Sequence, residues 1–533
     1  MFLLIIIILL LDNSVIFIKD IKLLKLQCEG IVRYARVSAS DSQILASNSL
    51  PQSQAAKASG CNPLIHGFES HPSLISLLYK MTLKVYNTLT RKKELFKPRK
   101  GKNVNFFCCG ITPYDYAHIG HAKTYVQFDI IVKYLRYRGY KVTYLQNVTD
   151  IDDKIIQRAR EKKQKPIDLA RKFEKEYYKD MKALGVDSID KFARATEHIK
   201  EIQKQIKTLM DKDYAYTIEN DGVYFNLSKD PEYGKLSGRK SIEAEDAVSR
   251  IDDSGKKKNK GDFCLWKKSK LDEPSWEDPW FNGGRPGWHI EDTAISEKFF
   301  GQQYDVHGGA RDLIFPHHEA EIAQMESASG KKPFVRYWLH TGFLNVKGQK
   351  MAKSAGNFTT IKDALKKYDP KVLRFFYLSA HYRSPIDFSE ELLEQAKHSL
   401  ERLDDFVRKV KDSKEKDDQK LIEKTKKEFL KYMDDDFDTP KALAAIFDFV
   451  KEVHKNGGGK KSCDLMLDFD KILGVLETKK EKIPAEIKKL VQEREKARKE
   501  KNYEKADKIR EEIKSKGYIL EDTEKDTIVK KQD

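Results

Sequence analysis

Two short segments bearing histidine or lysine carry the first chemical signal. His118-Ile119-Gly120-His121 follows an apolar run and opens a helical stretch. A helix N-terminus offers free backbone amides and partial positive charge, which suits a phosphate. Gly120 lets a nucleotide approach the backbone closely. Two imidazoles there can hydrogen-bond charge developing on an α-phosphate. Lys350-Met351-Ala352-Lys353-Ser354 lies in a polar stretch between Gly348 and Gly356. Its two lysines, Lys350 and Lys353, can neutralise the β- and γ-phosphates of a departing pyrophosphate. Taken singly, the segments read better as helix-start histidines with no ligand and an ordinary basic loop.

A third segment has metal-ligand character. In Phe315-Pro316-His317-His318-Glu319-Ala320-Glu321-Ile322, a helix starting at Pro316 would put His317 and Glu321 one turn apart on one face. An imidazole beside a carboxylate makes half a zinc site; a plain polar helix face is the alternative. The HExxH pattern of metalloproteases is absent, because position 322 is isoleucine. The six cysteines, Cys28, Cys61, Cys108, Cys109, Cys264 and Cys463, are scattered, with no CxxC pair. They predict a reducing, cytoplasmic setting and a metal site, if any, assembled from distant segments.

Positioning such groups requires a sheet. Val104–Cys109 reads as a buried strand, Ile119–Arg138 as a helix ended by Gly139, and Val142–Val148 as the next strand. Thr149-Asp150 is expected to cap the helix that follows. Strand, turn, helix, strand is the βαβ unit of a parallel, Rossmann-like α/β sheet. Residues 166–212 show helical periodicity, and 213–285 are irregular, with a short strand at Gly222–Leu227 and a lysine-rich loop at Gly255–Gly261. An insertion at about 166–285 is the reading. α/β text returns at Gly287, so 81–388 is expected to be the catalytic domain. Residues 389–482 read as a helical domain and 483–533 as a small C-terminal domain, with two helices meeting near Asn502 and a strand at Tyr518–Leu520.

At 533 residues the chain needs several packed units. Its net charge of +17 points to a polyanionic partner, nucleic acid first. The apolar run Phe2–Leu11 is shorter than the roughly 20 residues of a membrane span. It also lacks the basic flank of a secretory signal. Residues 1–80 are read as a disordered extension or the product of a misplaced start, because Met81 begins a different text.

Together the first two motifs resemble the HIGH and KMSKS signatures of class I aminoacyl-tRNA synthetases, with Ala352 in place of the usual serine. With Gly110-Ile111-Thr112 after Cys109, Asn147–Lys154, Gly287–Glu291, His307-Gly308-Gly309 and Phe315–Ile322, the chain from about Leu83 to Asp522 resembles cysteinyl-tRNA synthetase of the archaeal type. The resemblance implies zinc ligands at Cys109, Asp292, His317 and Glu321. In a strand, Cys108 would face away. Asp292 stands where other members carry cysteine; capping a helix at Thr293-Ala294 is its other reading. Thr149 and Asp312 would hold the amino acid's polar groups, and Trp288 would wall its pocket. His289 and His307 would lie along the amino acid and adenylate, with Gly110, Thr112 and Gly120 near substrate or ATP.

The implied activity is ATP-dependent activation of L-cysteine and its transfer to tRNA, with one Zn2+ per chain and Mg2+ accompanying ATP. The helical region would bind the anticodon. A soluble cytoplasmic monomer is expected, with no membrane partner. The rivals are a cysteine ligase acting on a small-molecule amine, a non-catalytic RNA-binding paralogue, and a zinc hydrolase. The first would lack the C-terminal region and the second the motif histidines and lysines; the third would need HExxH.

Overall fold

The computed structural model describes residues 8–11, 14–17, 83–239, 255–287, 289–346, 348–350, 358–477, 484–522 and 527–531. Within residues 1–79 the described part is an antiparallel hairpin, Ile8–Leu11 with Ser14–Phe17. The expectation of a disordered or misplaced extension otherwise falls outside the described residues.

Residues 80–533 centre on a five-stranded parallel sheet. Its strands are β1 (Asn103–Ile111), β2 (Lys141–Val148), β3 (Lys191–Arg194), β4 (Tyr304–Ala310) and β5 (Val335–Thr341), in the order β5-β4-β1-β2-β3. β1 carries apolar side chains on both faces, as a strand covered by helices on both sides must. The α1 helix (Ile119–Tyr137) connects β1 to β2 and ends at Gly139, whose φ of +81° suits the turn. The strand order reverses between β1 and β4, and ligands bind such sheets at the strands' carboxyl ends at that reversal.

Two local expectations fail. The helix after β2 is capped by Asp152, which accepts from the Lys154 amide, and not by Thr149-Asp150. Thr149 instead donates to Glu291, and Asp150 accepts from Thr196 and pairs with Arg171. The helical text at 166–212 is interrupted by β3, which pairs in parallel with β2. Four residues at a sheet edge, between Lys-rich helices, are too few to impose a period of two. The insertion has its own antiparallel sheet, built from Ala215–Ile218, Gly222–Phe225, Phe263–Lys268 and Gly284–Pro286.

Beyond the sheet, helices Glu390–Lys411, Gln419–Asp434, Thr439–Asn456 and Lys460–Leu473 form a bundle that shares one apolar core with α1. Arg374, on the helix Pro370–Leu378, joins α1 to the end of that bundle. Arg374 reaches Asp129 of α1 at 2.5 Å and the Leu473 carbonyl at 2.6 Å. Burial pushes the Asp129 carboxyl up, but Arg374 and Lys133 outweigh it and hold it below its ordinary value. Breaking such a pair from one side costs about 3–5 kcal/mol, and the shared apolar core makes the bundle a buttress of the catalytic sheet. The C-terminal unit has a separate small core, with helices Ala485–Lys499 and Tyr503–Ser515 and strands Tyr518–Asp522 and Thr527–Lys531.

Candidate active site

The carboxyl ends of β1 and β4 deliver the first groups. Cys109 and Phe107 share one face of β1, and His307 lies beside Phe107 in register. Cys108 points to the opposite core, beneath Tyr144. The α2 helix (Ile290–Phe300) supplies Asp292, and the α3 helix (Glu319–Ser329) with the turn before it supplies His317 and Glu321. Helical geometry around His317 begins only after extended Phe315, and it puts His317 Nε2 3.0 Å from Glu321 Oε1.

Four side chains from three segments converge there. Cys109 Sγ lies 3.7 Å from Asp292 Oδ2, 3.5 Å from His317 Nε2 and 3.7 Å from Glu321 Oε1. His317 Nε2 is 2.8 Å from Asp292 Oδ2. One atom from each residue falls within 4.8 Å of every other, a spacing open to a metal ion. The electrostatics favour a cation. Burial, then the Glu321 and Asp292 carboxylates, pushes the Cys109 thiol well above its usual range. Burial, then Asp292 and Glu291, raises Glu321 in the same way. Asp292 Oδ1 is buried without a hydrogen-bond partner among the described residues. A thiol, an imidazole and two carboxylates are ordinary donors to a divalent cation of zinc type, and the orphaned oxygen leaves a lone pair for it.

Asp292 is not a helix cap. The helix begins at Ile290, so Asp292 stands inside its first turn. Asp292→Asn should therefore cost bound metal more than tenfold in affinity while Asp292→Cys retains it, since even outer-shell changes cost about 10–100-fold. Elemental analysis after dialysis measures this, and full metal in the Asn variant would contradict it.

Sequence reading missed a second donor group. His307 Nε2 and His318 Nε2 lie 3.2 and 3.1 Å from Cys109 Sγ, and with Glu321 they make another four-residue cluster. Gly309 makes room for it, because a Cβ there would sit 2.6 Å from the His318 ring. Burial first, and neighbouring histidines second, depress His307 and His318 well below the usual imidazole range.

A cavity of 450 Å³ opens beside the cluster, lined in part by Cys109, Thr149, Asp292, Asp312 and His317. Gly110, Thr112, His118, Gly120 and His121 also line it. A Cβ on Gly110 would lie 1.8 Å from the Asn147 carbonyl, so only glycine fits. The His118 and His121 rings stack at 3.7 Å, and burial, then His118, holds His121 well below its usual range and hence neutral. The backbone of His118 pairs with Thr360, just past the lysine motif. His289 and His307 are buried behind the wall; His289 Nδ1 lies 2.5 Å from His317 Nδ1. Trp288 and Lys353 fall outside the described residues, and Lys350 is placed by its strand alone, Gln349–Lys350.

Comparison with known proteins agrees with this arrangement. Residues 95–398, more than half of the chain, match the family model described as tRNA synthetases class I (C) catalytic domain. Residues 428–477 match a DALR domain, and 480–529 match the cysteinyl-tRNA ligase anticodon binding domain. The solved structure of Mycobacterium tuberculosis methionyl-tRNA synthetase with methionyl-adenylate shares the fold at TM-score 0.53 and 16% identity, over 70% of this chain and 90% of that one. The catalytic domain is thus that of a class I aminoacyl-tRNA synthetase.

Cysteine–tRNA ligases of Thermococcus onnurineus and Thermodesulfovibrio yellowstonii are 46% and 45% identical, covering 85% and 84% of this chain and 99% of each relative. That of Pyrococcus horikoshii is 47% identical over 85% of this chain and 99% of its own length. The chain belongs to the cysteine–tRNA ligase family.

Proposed function

We propose that the protein activates L-cysteine with ATP and esterifies it to the 3′ end of the cysteine-accepting tRNA. The observation that carries this reading is a thiol-compatible donor cluster, Cys109, Asp292, His317 and Glu321, in the wall of a cavity lined by a nucleotide-binding turn.

In the first step the cysteine carboxylate attacks the α-phosphorus of ATP, giving cysteinyl-adenylate and pyrophosphate. His118 and His121 hydrogen-bond the α-phosphate as charge builds, and the open amides of α1 face the same phosphate. Lys350 and Lys353 neutralise the departing pyrophosphate, together with Mg2+ brought by ATP. Thr149 and Asp312 orient the amino acid by its ammonium and carboxylate. In the second step a hydroxyl of the terminal ribose attacks the adenylate carbonyl, and AMP leaves. Positioning carries both steps.

Cys109, Asp292, His317 and Glu321 would hold a zinc ion, which when bound favours a thiolate sulfur over a serine hydroxyl. The four described cysteines are free and buried, which suits the reducing cytoplasm. No helix among the described residues is long and apolar enough to cross a membrane.

The anticodon-binding match over 480–529 supports tRNA as acceptor and argues against a small amine. Removing the whole helical region would strip helices that share a core with α1, so the informative cut falls after residue 477. A chain ending there should keep pyrophosphate exchange within about twofold and lose more than tenfold in kcat/KM for tRNA charging, a loss of about 1.4 kcal/mol or more in charging. Equal loss of both activities in a folded protein would overturn this division.

A further inference from the structure

We propose that Lys123 is a positioning residue that ties the nucleotide-binding turn to the root of the lysine motif. Lys123 stands on α1, two residues past His121, and is almost wholly buried. Its Nζ donates to the Gly342 carbonyl at 2.8 Å, the Tyr382 carbonyl at 3.2 Å and Gln127 Oε1 at 3.0 Å.

Gly342 is a pivot. It follows β5 and precedes Leu344–Val346, which pairs antiparallel with Gln349–Lys350 and parallel with Ile386–Asp387. A Cβ on Gly342 would sit 2.3 Å from the Ser384 carbonyl oxygen, so the 381–384 turn closes on it from the other side. One turn of α1 therefore meets this junction through a polar seam. Beside Lys123, Thr124 Oγ1 lies 2.9 Å from Thr341 Oγ1, and Gln127 Nε2 donates to the Tyr377 carbonyl at 3.2 Å.

The far side of the lysine motif is held by the same helix. The His118 backbone pairs with Thr360, and the Ile119 amide donates to the Thr359 carbonyl at 3.1 Å. α1 thus fixes both flanks of the motif. The backbone bridge at His118 holds the exit, and Lys123 holds the entry through Gly342. A buried amine donating to these three oxygens does this, because loss of the donor leaves the Gly342 and Tyr382 carbonyls and Gln127 Oε1 unpaired at one point. The consequence is functional: the spacing between the nucleotide-binding turn and the strands Leu344–Val346 and Gln349–Lys350 depends on a side chain outside the cavity lining.

This inference rests on the proposed activation reaction, and the wild-type protein separates the two. Absence of cysteine-dependent pyrophosphate exchange in the wild type would defeat the activation reading itself. With the wild type active, Lys123→Met, Lys123→Gln and Lys123→Arg are compared for kcat, for KM of cysteine and ATP, and for melting temperature. The expected order of kcat is Lys, then Arg, then Gln, then Met. The Met variant should fall at least tenfold, with the cysteine KM within twofold and bound zinc unchanged. An unchanged kcat in folded Met or Gln variants would overturn the proposal. So would a loss mirrored by an equal rise in cysteine KM, which signals a damaged amino-acid site. Should Met fail to fold, the Gln variant decides on the same criteria.

Discussion

Replacing Cys109 by alanine is expected to release the bound metal and to lower kcat/KM for cysteine by more than ~100-fold, since even outer-shell partners of a metal site are worth about 10–100-fold. The side chain sits where four donors meet, and none of the other three can replace its sulfur from its own element. Alanine keeps the strand and most of its packing against Phe107 and Leu145, so the loss is chemical and not a failure to fold. The second donor group, with His307 and His318, shares Cys109 and Glu321, so the Cys109 variant alone does not choose between the two. His317→Ala and His318→Ala do. His317 meets both carboxylates, at 2.8 Å to Asp292 and 3.0 Å to Glu321, and its loss should empty the site. His318 has Nδ1 2.8 Å from His340 Nε2 and turns Nε2 to Cys109, but it lies outside the cluster that contains Asp292 and His317, and its variant should retain metal if Asp292 and His317 belong to the site. Elemental analysis and exchange kinetics read both outcomes. Metal lost from the His318 variant alone would assign the site to the other cluster.

The second large effect concerns the turn at α1. His121→Ala should lower kcat for activation by about 10²–10³-fold, the cost of removing one preorganised donor from a charge-building oxygen. The cysteine KM and the metal content should hardly move, because His121 belongs to neither donor cluster. Burial, then His118, holds His121 well below its usual range, so the expected role is that of a neutral hydrogen-bond donor across the neutral pH range. A steady-state and pre-steady-state comparison settles this. Retention of wild-type kcat, or a parallel rise in cysteine KM, would remove His121 from the chemistry.

Much of the scaffold was legible because its signals are local. Short apolar runs, Gly139 past α1 and Gly110 after Cys109 each act within a few residues, and the strands and helix they mark are present. β3 was hidden because a four-residue edge strand draws its stability from β2 and not from its own pattern. The cap at Asp152 was misread two residues early, since Thr149 and Asp150 are equally good capping types and only tertiary contacts assign them elsewhere. The donor cluster depended on resemblance, because Cys109, Asp292 and His317 lie far apart in sequence and meet through sheet order. His318 and Lys123 were missed for a related reason. A second histidine beside a ligand, and a lysine on a buried helix face, carry no period or spacing of their own. Their meaning comes from Gly309 making room for one and Gly342 accepting from the other.

The most direct test of the account is cysteine-dependent ATP–pyrophosphate exchange by the full chain, run in parallel with serine. The account predicts robust exchange with cysteine and a kcat/KM for serine lower by about 10⁴-fold, the discrimination reached when a site's partner group is left unsatisfied. Removing the metal should abolish that selectivity along with the activity. Exchange that proceeds equally well with serine, or that survives complete metal removal with cysteine, would contradict it.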